Sequence, residues 1–315
     1  MEVARPPLTG RARAAELLPL FLVSMATVGF EIALTRYFAV AKWSEYGYWV
    51  ISIVLAGFAL SGVVMALARD RFAAIGPALL AWLPPVLILA AAIGFHFVTT
   101  NPFNPLQLQN AATFEPQLWN IGWYYAALLP FFFLAGLYVS LFFILHDREI
   151  GRVYGFDLTG AGLGALAVLA LMWVVHPFHL VPCLLLPLAA AAYRRRAPLA
   201  VACLALLAGA GLLLLDDQAG FNEYKAIYAP MHTEGAKVEA QLFSPRGDYT
   251  LLNDFTERVD TDISNNLGNL GLPGPPTALG LYRDGNRIAA LPKQGPVDVG
   301  YARAALDSLP YALVP

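Results

Sequence analysis

Leu17–Val40, with the sequence LLPLFLVSMATVGFEIALTRYFAV, decides the fold class. It is longer than the roughly 20 apolar residues that carry a helix across the hydrocarbon of a bilayer. No small-residue cleavage site follows it, and it holds Glu31 and Arg36, so it reads as a retained helix and not as a signal peptide. Comparable runs follow at about Tyr46–Ala68, Pro77–Val98, Leu118–Leu145, Leu158–Val175, Leu180–Tyr193 and Pro198–Leu215. Of the 315 residues, 58% are hydrophobic and 13% charged, roughly half the charge of a soluble domain. This composition excludes an ordinary soluble protein.

The expected architecture is an all-α membrane bundle of about seven transmembrane helices followed by a small β-rich extramembrane domain. Residues 1–16 form a cytoplasmic segment, 17–217 the helical domain and 218–315 the extramembrane domain. The sixth run is short and contains Pro182 and Pro187, so a re-entrant segment, and six spans, is the alternative. Its fusion with the seventh is blocked by Arg194-Arg195-Arg196-Ala197-Pro198. Arg11, Arg13, Arg69, Arg71, Arg148, Arg152 and Arg194 to Arg196 all fall on one side of a seven-span chain, which makes that side cytoplasmic. The opposite loops hold Lys42 with Glu45, then Glu115, then His176. In this topology the N-terminus is cytoplasmic and the tail emerges outside the cell membrane.

The tail is polar and rich in Gly, Pro, Asn and Asp. Candidate strands at Lys237–Phe243 and Tyr249–Asn253 flank the turn Ser244-Pro245-Arg246-Gly247, and a second pair, Ala278–Tyr282 and Arg287–Leu291, flanks Arg283-Asp284-Gly285-Asn286. A short helix is expected at Tyr301–Leu309, ending at Pro310.

Glu31, Arg36 and Asp157 are the candidate intramembrane polar site, because an ionised side chain in hydrocarbon costs on the order of 3 kcal/mol or more. Glu31 and Arg36 stand five apart, about 140° around a helix, too far for direct i,i+4 pairing. One reading is a binding or proton site. The other pairs or neutralises Glu31 in the bundle and lets Arg36 reach the outer interface beside Tyr37 and Lys42. Asp157 is expected to cap the fifth helix, and Gly160 and Gly164 to form a close-packing face on it. The surrounding glycines lack the strand-turn-helix context of a dinucleotide loop.

His96, His176 and His179 share one membrane side and are the candidate haem ligands, although interfacial histidines are commonly satisfied by water or carbonyls. Asp254, Glu257, Asp260 and Asp262 read as an acidic solvated loop or, alternatively, as a site for a divalent ion or amine. Cys183 and Cys203 lie in apolar runs and support neither a disulfide framework nor a thiolate metal site. With a net charge of −2 there is no basic face for nucleic acid, and no hydrolase elbow, zinc-protease helix or phosphate loop occurs.

Five stretches resemble membrane-embedded members of the spermidine synthase-like (polyamine aminopropyltransferase) family. They are Gly29–Phe38, Tyr154–Gly164, Ser244–Gly247, Gly280–Asn286 and Leu306–Leu313, in that order along nearly the whole chain. The resemblance implies a multi-helix membrane region, a small β-rich domain and then a Rossmann-like domain that binds decarboxylated S-adenosylmethionine and transfers an aminopropyl group. The glycine-rich loop and acidic residues of that last domain are expected beyond Pro315. No cofactor is therefore expected in this chain, and decarboxylated S-adenosylmethionine only where a Rossmann domain is supplied.

The leading expectation is a membrane anchoring or assembly subunit without its own complete active site, in contact with membrane lipid and with other protein subunits or further copies of itself. A part of a membrane-bound aminopropyltransferase or methyltransferase-like enzyme is the alternative. A small-solute transporter using Glu31, Arg36 and Asp157 is the third reading, which lacks the paired repeats common in such carriers.

Overall fold

The computed structural model describes residues 10–195, 197–214, 220–259, 275–293, 300–301, 310 and 313. It divides into a helical unit, Met1–Gly220, and a second unit, Phe221–Pro315. The helical unit contains α1 (Gly10–Ala41), α2 (Gly47–Leu67), α3 (Arg69–Thr100), α4 (Phe114–Leu145), α5 (Ile150–Leu171), α6 (Leu180–Cys183), α7 (Leu185–Arg194) and α8 (Leu199–Leu214). Among the described residues six helical segments are long and apolar enough to cross a membrane, the sixth being Pro177–Arg194, which includes α6 and α7. The seventh run forms the 16-residue α8, shorter than a full crossing, packed on α3 through Gly209 and Ile88. The sixth run is interrupted at Leu184, between α6 and α7, near the prolines that marked it.

α1 is the axis of the bundle. Some 61% of its span is buried inside the bundle, against 22% for α5. It packs against α2, α4, α5 and α7, and Phe30 anchors its middle against Phe131 and Phe132 of α4 with ring centroids 4.4 and 5.8 Å away. At one end Lys42 meets Asn101 and Tyr124; at the other Glu16 meets His146, which follows α4. These contacts set α1 and α4 antiparallel and define an aromatic end and a basic end of the bundle. The Asn/Pro/Gln-rich connection between α3 and α4 is an ordered cap on the aromatic end: Gln117 accepts from the Asn104 amide (2.9 Å) and donates to Gln107 (2.8 Å), and Asn101 donates to the Asn120 carbonyl (2.9 Å).

The second unit contains α9 (Tyr228–Met231) and an antiparallel meander of β1 (Lys237–Ser244), β2 (Gly247–Asn253), β3 (Ala278–Arg283) and β4 (Asn286–Pro292), in that spatial order. All four expected strands form. Asp284 and Gly285, both at positive φ (52° and 72°), make the tight turn between β3 and β4. The core is small: Ile227, Leu252 and Tyr282, with Phe221 and Met231 against them. Most of the expected helix Tyr301–Leu309, together with Asp260 and Asp262, lies outside the described residues.

Asp157 does not cap α5. The helix begins at Ile150, so Asp157 stands two turns inside it and accepts a 2.5 Å hydrogen bond from Ser24 of α1. Gly160 and Gly164 lie one turn apart beyond it, against the α1 backbone. A Cβ at position 160 would stand 2.4 Å from the Phe21 carbonyl oxygen, and one at 164 would stand 2.3 Å from that of Met25. The expected close-packing face is thus closed within the chain, against α1. Gly155 and Gly162, by contrast, have nothing within 4 Å of an added Cβ. Replacing Gly160 by Leu must push two helices apart and is expected to cost about 1–3 kcal/mol or more. In detergent the Gly160→Leu protein should unfold at clearly lower temperature than the parent, and Gly162→Leu should not.

Candidate functional site

The three candidate polar residues do not converge. Ser24 and Glu31 are seven apart on α1 and so share a face, separated by about 10 Å of helix rise. Asp157 joins that face at Ser24 and leaves Glu31 to itself. Among the described residues no donor reaches the Glu31 carboxylate; one turn on, the Thr35 hydroxyl donates to the Glu31 backbone carbonyl at 2.9 Å. Arg36 stands five positions further along α1. It is 9% exposed, and buried within the bundle.

The aromatic end holds a group that sequence reasoning placed in a loop. Lys42 is 2% exposed, and its ammonium donates to the Tyr124 hydroxyl and, at 3.4 Å, to the Asn101 carbonyl. The Tyr124 ring is packed edge-on by Phe38 (5.4 Å) and Phe103 (6.0 Å), and Trp49 stacks on Tyr46 at 4.5 Å beside them. A buried ammonium needs such acceptors because its desolvation is otherwise uncompensated. The only local signal was the density of Trp and Tyr around it in Trp43, Tyr46 and Trp49, which by itself reads as an interfacial belt.

The histidines do not assemble into a metal centre among the described residues, where no group of three or more His, Cys, Asp or Glu has ligand geometry. His176 and His179 have ring centroids 6.2 Å apart, but His176 Nδ1 accepts from the Phe178 amide (3.2 Å) and its ring lies against that of Phe178. His96 packs beside Phe97 on α3.

In the second unit Asp254 and Glu257 are 3% and 4% exposed, so the acidic stretch is not a solvated loop where it is described. Glu257 accepts from the Tyr282 hydroxyl and from Arg287 Nε (3.0 Å), and Gly280 leaves the space its carboxylate fills. Burial, and then the Glu257 carboxylate that accepts from it, push the Tyr282 phenol above its ordinary value. Burial works against the charged form of Asp254, but hydrogen bonds from the Thr233 and Thr256 hydroxyls and from backbone amides outweigh it and hold the carboxyl below the usual range. Both carboxylates fasten the sheet to its flanking segments. Among the described residues the sheet is antiparallel, and no strand leads through a glycine-rich turn into a helix as in a Rossmann-like nucleotide site.

The class defined by these features is a helical membrane protein carrying a small antiparallel sheet unit. Comparisons with known families, with curated proteins and with solved structures find no match.

Replacing Tyr124 with Phe removes one of the two acceptors described for a buried ammonium and is expected to cost about 1–3 kcal/mol, read as a lower unfolding temperature. For Asp254 the folded value is depressed. The stability it contributes is therefore complete above the unfolded carboxyl value, about 3.9, and is lost as pH falls through the lower folded value. Hydrogen exchange of the β2 amides should rise over that acidic window, and Thr233→Val should move the rise to higher pH.

Proposed function

We propose that this chain is a membrane anchor that holds its sheet unit at one surface of the cell membrane for assembly with other protein subunits. The observation that carries the reading is the use of the interior polar groups. Ser24 with Asp157, Lys42 with Tyr124, and Glu257 with Tyr282 and Arg287 each tie two elements together, and none opens onto a catalytic constellation among the described residues. The short α8 completes a seventh crossing in this reading, with the N-terminus cytoplasmic and the sheet unit on the opposite side. The asymmetry of arginine between the loops supports that orientation. The five stretches resembling spermidine synthase-like proteins support an anchor whose assembly includes a nucleotide-binding domain carried elsewhere.

Labelling tests the orientation. In a protein with Cys183 and Cys203 replaced by Ser, a cysteine substituted for the exposed Lys237 should react with an impermeant maleimide in intact cells. Protection until the cells are opened would place the sheet unit in the cytoplasm and return the chain to six crossings.

A further inference from the structure

Glu31 stands near the middle of α1, half-buried, with a carboxylate that no described donor or cation reaches. A bare carboxylate at that depth costs on the order of 3 kcal/mol or more, so something outside the described chain must neutralise it. One turn toward the aromatic end, Thr35 lines a crevice of about 320 Å³ between α1 and α2 with Ser44, Glu45, Gly47, Tyr48 and Ile51. Gly47 shapes it by letting α2 approach Thr35, where an added Cβ would stand 3.1 Å from the threonine methyl. Glu31 and Thr35 share a helix face at i,i+4 spacing, which sets the carboxyl one turn below the crevice. Three hydroxyls, of Thr35, Ser44 and Tyr48, and the Glu45 carboxylate therefore line the crevice one turn of α1 beyond Glu31.

We infer that Glu31 is a reversible proton-binding site reached from the aromatic end of the bundle through the Thr35–Glu45 crevice. A proton is favoured over a metal cation by ligand count. Sodium or calcium takes several oxygens at once, and among the described residues no group of three or more His, Cys, Asp or Glu surrounds Glu31. Several titratable groups on the neighbouring elements have partners of their own. Asp157 of α5 is held by Ser24, Tyr124 of α4 receives Lys42, His176 receives the Phe178 amide, and the Cys183 thiol of α6 lies near the His179 carbonyl. Arg36 is buried about 140° around α1 from Glu31. Glu45 and Tyr48 remain as the titratable groups of the crevice itself.

A hydrophobic carbodiimide reads this directly, because it adds to protonated carboxyl groups in apolar surroundings. The full chain in lipid vesicles is treated over a range from mildly acidic to mildly alkaline pH, and the modified residue is mapped by mass spectrometry. Modification at Glu31 should be high in acid and fall as pH rises. Glu31→Asp should keep the reaction and Glu31→Gln abolish it. Three results would overturn the proposal: no modification of the folded parent protein at any pH, modification independent of pH, or protection in vesicles that is lifted in detergent-dispersed monomers. The last would assign Glu31 to a cation on a partner helix.

Discussion

At Gly160 and Gly164 the backbone of α5 lies against the carbonyls of Phe21 and Met25, closer than any larger residue permits. The rest of the helical unit depends on that approach. It holds Ser24 within 2.5 Å of Asp157, so that the one acid of α5 inside the bundle has a donor. In hydrocarbon there is little hydrophobic force between helices, and close backbone packing together with interhelical hydrogen bonds supplies the attraction instead. α1 is thereby fastened along one flank by α5 while its other flanks face α2, α4 and α7.

The same constraint explains how the other ionisable groups are distributed. Lys42 is enclosed at the aromatic end, where Tyr124 and the Asn101 carbonyl accept from it and a layer of rings excludes lipid and water. Arg36 is enclosed as well. Glu31 is the contrast, half-buried on α1 one turn from Thr35, which lines a crevice rich in hydroxyls. That difference separates it from residues whose polarity is consumed in holding helices together.

Much of the fold was legible in the sequence. Apolar runs located all the long helices because a span demands a minimum length of hydrocarbon-compatible residues, whatever its neighbours. The tail hairpins were equally readable, since Arg283-Asp284-Gly285-Asn286 has the positive-φ preference that a tight turn requires. Helix starts were less legible. Arg69 to Gly76 and Ile150 to Asp157 are helical although they precede the apolar runs, because polar residues continue a helix into the headgroup region without any change in hydrophobicity. This is why Asp157 was expected at a cap and stands two turns inside.

The sequence by itself determined that the chain is a membrane bundle with a strand-rich tail, because composition and local turn chemistry act over a few neighbouring residues. Only the tertiary structure decided what the polar residues do. Ser24 and Asp157 are 133 positions apart, Lys42 and Tyr124 are 82 apart, and Glu257 and Tyr282 are 25 apart. Each pair exists because packing brings distant segments to hydrogen-bond distance and removes the water that would otherwise satisfy them. Glu31 is the reverse case, a carboxyl in plain view in the sequence that, among the described residues, no donor reaches.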